Sequence, residues 1–335
     1  MIGTGFGDQA STLMLSRLGA SMRKDISART QELSTGVVSD RNAAFGGDHA
    51  RLATLDSARE RAKAHLQAAR ESTNRLEVTQ LALGNVADGL TELRNDLFMA
   101  LQSGTSLNLD QASDAARAQF SQAVEVLNTQ VAGRSLFAGT RTDGPALVDA
   151  DAMLDQMRDA IFAAGGGADP AAVIADWFAP GGGFDTDGYL GDDPPAAALT
   201  LGAGQSIAQE TTARDPAFRQ ALAGLAMAAL AGEPPASDSR EARAHMVGAG
   251  AATISTAVDS LTQMAGALGR DEARAARAES AAQAELATLD RARVAMLEVD
   301  PYEAAARLEE TMSRLDALLV VTARSSRLSL TGYLR

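Results

Sequence analysis

Leu76, Leu83, Leu90 and Leu97 recur every seventh residue, and three places further on stand Thr79, Val86, Leu93 and Ala100. That is the narrow seam of a helix built to pack against other helices. Upstream, Leu52, Leu55, Ala62, Leu66 and Ala69 carry the stripe back toward Asp48, so the spacing predicts one helix over about 49–102. At 1.5 Å per residue such a helix is about 80 Å long, a rod and not an element of a compact globule.

A second seam steps by four and three through Val247, Ala251, Ile254, Val258, Leu261, Ala265 and Leu268. Its register continues through Ala275, Ala282, Leu286, Leu289 and Met296, with polar Glu272, Glu279 and Arg293 interrupting it. Asp238 and Glu241, just after EPPAS, read as a capping box at its start. In VDPYEAAARLEE, Asp300 takes the N-cap, Pro301 the first helical position and Glu303 the third, so one helix stops there and another begins. A further helix reads from Asn108, boxed by Gln111, through Ala116, Phe120, Ala123, Leu127 and Val131. The polar break QSGTSLNLD before it predicts that it folds back antiparallel on the 49–102 helix.

The extremities carry weaker stripes. Leu15, Leu18, Met22, Ile26 and Leu33 form one over residues 8–35. Leu308, Met312, Leu315, Leu319 and Thr322 form another, continued by Leu330, Tyr333 and Leu334 at the end of the chain. Helices with such thin seams are marginal alone and gain most by packing against partners, copies of the chain included. The apolar members of both stripes are therefore the candidate assembly interface.

The stretch 140–237 differs in kind. GGGADP, APGGGFDTDG and GDDPPAAALTLGAGQS punctuate it, AALTL suggests a strand, and LVDADAMLDQMRDAIFAA and DPAFRQALAGLAMAALA suggest helices. The expected fold is mainly α: a long antiparallel helical bundle or coiled coil from the N- and C-terminal regions, with a small mixed α/β central outer domain. Its expected parts are an axial coiled-coil segment over 1–48, the two halves of a helical rod over 49–139 and 238–299, an outer domain over 140–237, and a second axial segment over 300–335.

Composition narrows the function. Aromatics are 4% of 335 residues, so the core is aliphatic and small. The net charge of −13 opposes binding to nucleic acid or anionic lipid. No run approaches the roughly 18 apolar residues a membrane span needs, and MIGTGFGDQASTLML lacks the basic and apolar regions of a cleaved secretory signal. With no cysteine, neither a disulfide framework nor a thiolate site exists. His49, His65 and His245 lie at no metal-ligand spacing, and no nucleophile elbow or phosphate loop occurs. GTGFG at 3–7 reads as a tail and GAGAA at 248–252 as close helix packing. Neither an enzyme nor a cofactor is expected.

Particular segments resemble the flagellin and hook-associated protein family. ELSTG at 32–36 is similar to the motif ending that family's first terminal helix. DPYEAAARL at 300–308 and TARSSRLSLTGYL at 322–334 resemble its C-terminal signature. GRSLFAGTRTDGPAL at 133–147 resembles the segment where subunits of the hook-filament junction pass from helical to outer domain, and YLGDD at 189–193 and DPAFRQAL at 215–222 echo that outer domain. One departure is that Asp40 and Asp48 stand apart where the family has an acidic pair. The resemblance implies a structural flagellar subunit, exported unfolded by the flagellar type III apparatus and held extracellularly in a helical oligomer. It also implies partners: other copies, another hook-associated protein, flagellin and an export chaperone. A filament flagellin and a cytoplasmic coiled-coil scaffold are the alternatives.

Overall fold

The computed structural model describes residues 5–40, 50–192, 198–202, 205–207, 211–234 and 238–333; the side chains of 5–9, 11, 12, 199, 200, 202, 205 and 325–333 are not described. The fold is mainly helical, with long helices packed on one another and two small two-stranded sheets among the described residues. Two compact units emerge: Met1–Lys63 with Gln283–Arg335, and Ala64–Ala282.

The first unit holds α1 (Gly5–Thr35), the start of α2 (Ala50–Ser103), the end of α7 (Arg240–Leu297) and α8 (Pro301–Tyr333). Here α2 and α7 run antiparallel, laced by Arg59 to Asp290 at 2.5 Å and Arg293 to Asp56 at 3.0 Å. Asp300 caps α8 as the sequence suggests, its Oδ1 accepting the Tyr302 N–H at 2.8 Å, with Pro301 at the first helical position.

In the second unit α2 turns back into α3 (Ser106–Leu127) at Gly104, whose φ of +60° ends the helix in the left-handed region. The hairpin matches the sequence reading, but its N-cap does not. Thr105, not Asn108, caps α3 by accepting the Asn108 N–H at 3.3 Å, because Gly104 completes the turn three residues sooner than expected. Similarly α7 starts at Arg240 under Ser239, whose hydroxyl oxygen accepts the Ala242 N–H at 3.0 Å, one residue after the expected Asp238 cap.

After α3, the strands β1 (Gln130–Val131) and β2 (Arg134–Ser135) pair through a two-residue turn. Ala132 and Gly133 both lie at positive φ, 51° and 76°. This geometry suits Asn-Gly and strains alanine. Ala132→Asn is expected to raise the stability of this unit by about 0.5–1 kcal/mol in urea unfolding.

The segment 133–147 then anchors the centre of the chain. Phe137 and Ala138 are fully buried, Ala138 O accepts the Asp192 N–H and Phe137 O accepts the Ala213 N–H, and the Asn128 amide bonds both the N–H and the carbonyl of Leu147. Next come α4 (Ala150–Ala164), capped by Asp149, and α5 (Pro170–Phe178), capped by Asp169. The helix α5 was hidden from the sequence reading by the glycines flanking it. The strands β3 (Leu199–Gly202) and β4 (Gln205–Ile207) form an antiparallel pair where AALTL predicts a strand. At the centre lies α6 (Pro216–Leu230), buried throughout except at Pro216, Arg219 and Gln220. Such a helix has no solvent face. It packs on α3 and α5 and crosses α7 where Gly224 meets Gly250.

One charge organises this unit. Asp185 sits in a π-helical turn (Phe184–Gly188) and accepts from the Gly181 N–H at 2.7 Å, from Arg214 Nε at 3.0 Å and from Arg219. Arg219 also lies over the Phe184 ring. Burial pushes the Asp185 carboxyl up, but the Gly181 N–H and the two guanidinium groups outweigh it and bring it down from 3.8 to about 2. The folded value is the lower one, so the stabilisation is full above about pH 4 and fades as the pH falls toward 2; it amounts to about 2 kcal/mol. Asp185→Asn is expected to flatten the acid limb of this unit's stability profile between those pH values, measured by denaturant midpoints.

Candidate assembly interface

The two ends of the chain meet in the first unit. α1 and α8 pack antiparallel: Gly19 faces Leu318, whose Cδ2 lies 3.6 Å from where a Gly19 Cβ would be, while Val37 bridges Glu298 at the opposite end of the pair. Among the covered positions on α8, Ala304, Leu308, Thr311, Leu315, Leu318 and Thr322 are spaced four and three. On α1, Leu15, Gly19, Met22, Ile26 and Arg29 follow the same step, with Ala28 and Glu32 covered beside them. Both are heptad seams.

Of the candidate residues, Leu15, Met22, Ile26, Leu308 and Leu315 are half-buried along this seam. Leu18, Leu33, Met312 and Leu319 are exposed. Leu330 and Tyr333 belong to α8 but their side chains are not described, and Leu334 lies outside the described residues. Reading the stripe through apolar residues alone skips Gly19 and selects Met312 and Leu319, one residue beyond the seam positions Thr311 and Leu318. The strict four-three step from Leu15 or Leu308 would have found the covered positions.

Other large apolar side chains of the two helices therefore stay open. Leu13, Met14 and Leu18 on α1 are exposed, as are Met312, Leu319, Val320 and Val321 on α8, Met14 at 74% and Leu319 at 53%. Covering the exposed part of each such side chain is worth about 1 kcal/mol.

At the other end of the pair a polar joint closes the turn. Gly36, at φ +69°, terminates α1 and donates to Glu32 O at 2.8 Å. The following residues lie against the end of α7: the Val38 N–H donates to Leu297 O at 2.9 Å and the Val299 N–H to Gly36 O at 3.0 Å. Glu32 is 3% exposed. Its Oε1 accepts both the N–H and the hydroxyl of Ser39, at 3.0 and 2.8 Å, and its Oε2 accepts from Arg29 at 2.9 Å. Burial raises its pKa, but the two Ser39 bonds and the Arg29 guanidinium prevail and hold it below the usual 4.5. The ionised form is thus the one that fits, and the joint weakens only as the pH falls through that depressed value. A cleft of about 710 Å³ opens beside it, edged by Lys24, Arg307, Asp25 and Glu303.

No helix among the described residues is long and apolar enough to cross a membrane, and no group of three His, Cys, Asp or Glu among them could hold a metal ion.

Fold and interface together define a mainly helical chain whose two ends pair with each other. No protein-family profile and no curated protein matches the sequence. A solved structure from Vibrio parahaemolyticus, of a protein proposed to be a flagellar hook-associated protein, is similar with a TM-score of 0.46 and 14% identity, over 76% of this chain and 97% of that one. At that score and identity the likeness assigns neither family nor function.

Proposed function

We propose that this chain is a non-enzymatic structural subunit of the bacterial flagellum, a hook-associated protein of the junction between hook and filament. It assembles through its paired ends: one heptad stripe of α1 and α8 closes the pair within a subunit, and the exposed apolar side chains of the same helices pack against neighbouring copies. The supporting observation is those exposed side chains, large and apolar on two helices already joined by their seam. The terminal motifs ELSTG, DPYEAAARL and TARSSRLSLTGYL, together with GRSLFAGTRTDGPAL, support the flagellar reading by resemblance. Export through the flagellar apparatus, a chaperone for the apolar ends, and contacts with flagellin and a second hook-associated protein follow from it.

The test is deletion of the gene in a flagellated host. Loss of motility with flagellin released into the medium, reversed by the full chain, is the expected outcome. Purified protein that extends long seeded filaments would instead make it a filament flagellin. Retention inside export-competent cells would make it a cytoplasmic scaffold.

A further inference from the structure

We infer that Glu32 sets the register in which α1 pairs with α8, a positioning role that goes beyond the assembly reading while sharing its terminal pair. The apolar seam cannot do this by itself. Its positions repeat every seven residues on both helices, so a slip of one heptad, about 10 Å at 1.5 Å per residue, sets Ile26 against Ala304 or Leu318 and buries much the same surface. The small and flexible members of the seam, Gly19, Met22 and Thr311, tolerate the exchange.

What a slip does break is the joint. Sliding α1 by a heptad drags Gly36, Val37 and Val38 off Leu297, Glu298 and Val299, whose pairing consists of two backbone hydrogen bonds at 2.9 and 3.0 Å. Glu32 holds that segment in place from within α1, gripping Ser39 seven residues ahead through both of its donors while Arg29 satisfies the other carboxylate oxygen. The grip is geometric as well as electrostatic. Only one placement of Ser39 brings its N–H and hydroxyl onto the same oxygen, so the turn is held rigid on the end of α1 and a slip of α1 carries it off Leu297 and Val299, at the cost of both backbone hydrogen bonds. The backbone pairing fixes the position of the turn, and the carboxylate passes that position to α1, which a greasy seam does not do.

Cysteine cross-linking tests this cleanly because the chain has no cysteine of its own. In the full chain, Gly19→Cys is combined in turn with Leu318→Cys, the in-register partner, and with Thr311→Cys, one heptad away. With Glu32 present, the 19–318 link should dominate. In Glu32→Leu, whose helix content is checked by circular dichroism, the preference for 19–318 over the slipped pair should fall by about tenfold, the ratio that losing the hydrogen bonds to Ser39 supplies. Glu32→Gln, whose amide oxygen still accepts both Ser39 bonds, should restore it. If Glu32→Leu keeps the 19–318 preference, or Glu32→Gln fails to restore it, the register role is wrong while the assembly reading stands. If the 19–318 link is absent with Glu32 intact, the terminal pair itself is wrong and the assembly reading falls with it.

Discussion

Deletion of residues 318–335 is expected to abolish incorporation of the chain into flagella while leaving the second unit folded. The truncation removes Leu318 and Thr322 from the closed seam, so Leu15 and Gly19 lose what covers them. It also removes the exposed Leu319, Val320 and Val321. With about 1 kcal/mol at stake for each covered side chain, and with isolated helices of this length marginal in water, the remaining α1 and α8 segments have too little to hold them together. Unit 2 loses nothing, since its cluster of buried residues runs from Ala69 to Ala275. Immunolabelling of flagella from complemented cells, paired with thermal unfolding of the purified truncation, checks both halves. Labelled flagella at the normal level would show that the C-terminal end is dispensable for assembly.

The second large effect is expected at the crossing of α6 and α7. A Cβ on Gly250 would stand 2.8 Å from Gly224 O and 3.0 Å from Ala228 N; one on Gly224 would meet the Ile254 N at 2.9 Å. These neighbours are backbone atoms inside helices, which do not yield as a side-chain tip does. Gly250→Val must push apart two helices whose contact face is fully buried, including Ala228, Ile254 and Ala257, at a cost of about 3 kcal/mol or more. Gly248→Val, two residues away with nothing within 4 Å of its Cβ, is the control and should cost far less. Urea unfolding of both variants gives the comparison.

How legible this was in the sequence depends on the kind of feature. Periodic ones were: the stripes through Leu76–Leu97 and Val247–Leu268 and the helix start at Asp300 follow from spacing and capping chemistry that operate within one turn. GAGAA at 248–252 was legible as close packing, which holds at Gly250 against Gly224 and Ala228 and not at Gly248, whose Cβ would meet nothing within 4 Å. Caps with competing candidates were less so. Asp238 and Ser239 are both good N-caps, and only the backbone path selects between them. Glu32 was invisible as a buried group: a lone glutamate near a helix end reads as solvated, and its burial depends on Ser39 returning to it after a glycine turn. The Asp185 cluster needs Arg214 and Arg219, some thirty residues away, so no local pattern reveals it.

The central claim is that the two ends form a thin pair completed by neighbouring copies. Hydrogen exchange read across a dilution series of the full chain tests it most directly. Protection in α1 and α8 should climb with protein concentration, in step with association seen by sedimentation, while α6 and the buried stretch of α3 stay equally protected throughout. Terminal helices as protected as α6 at the lowest concentration, in a chain that sediments as a monomer at every concentration, would contradict it.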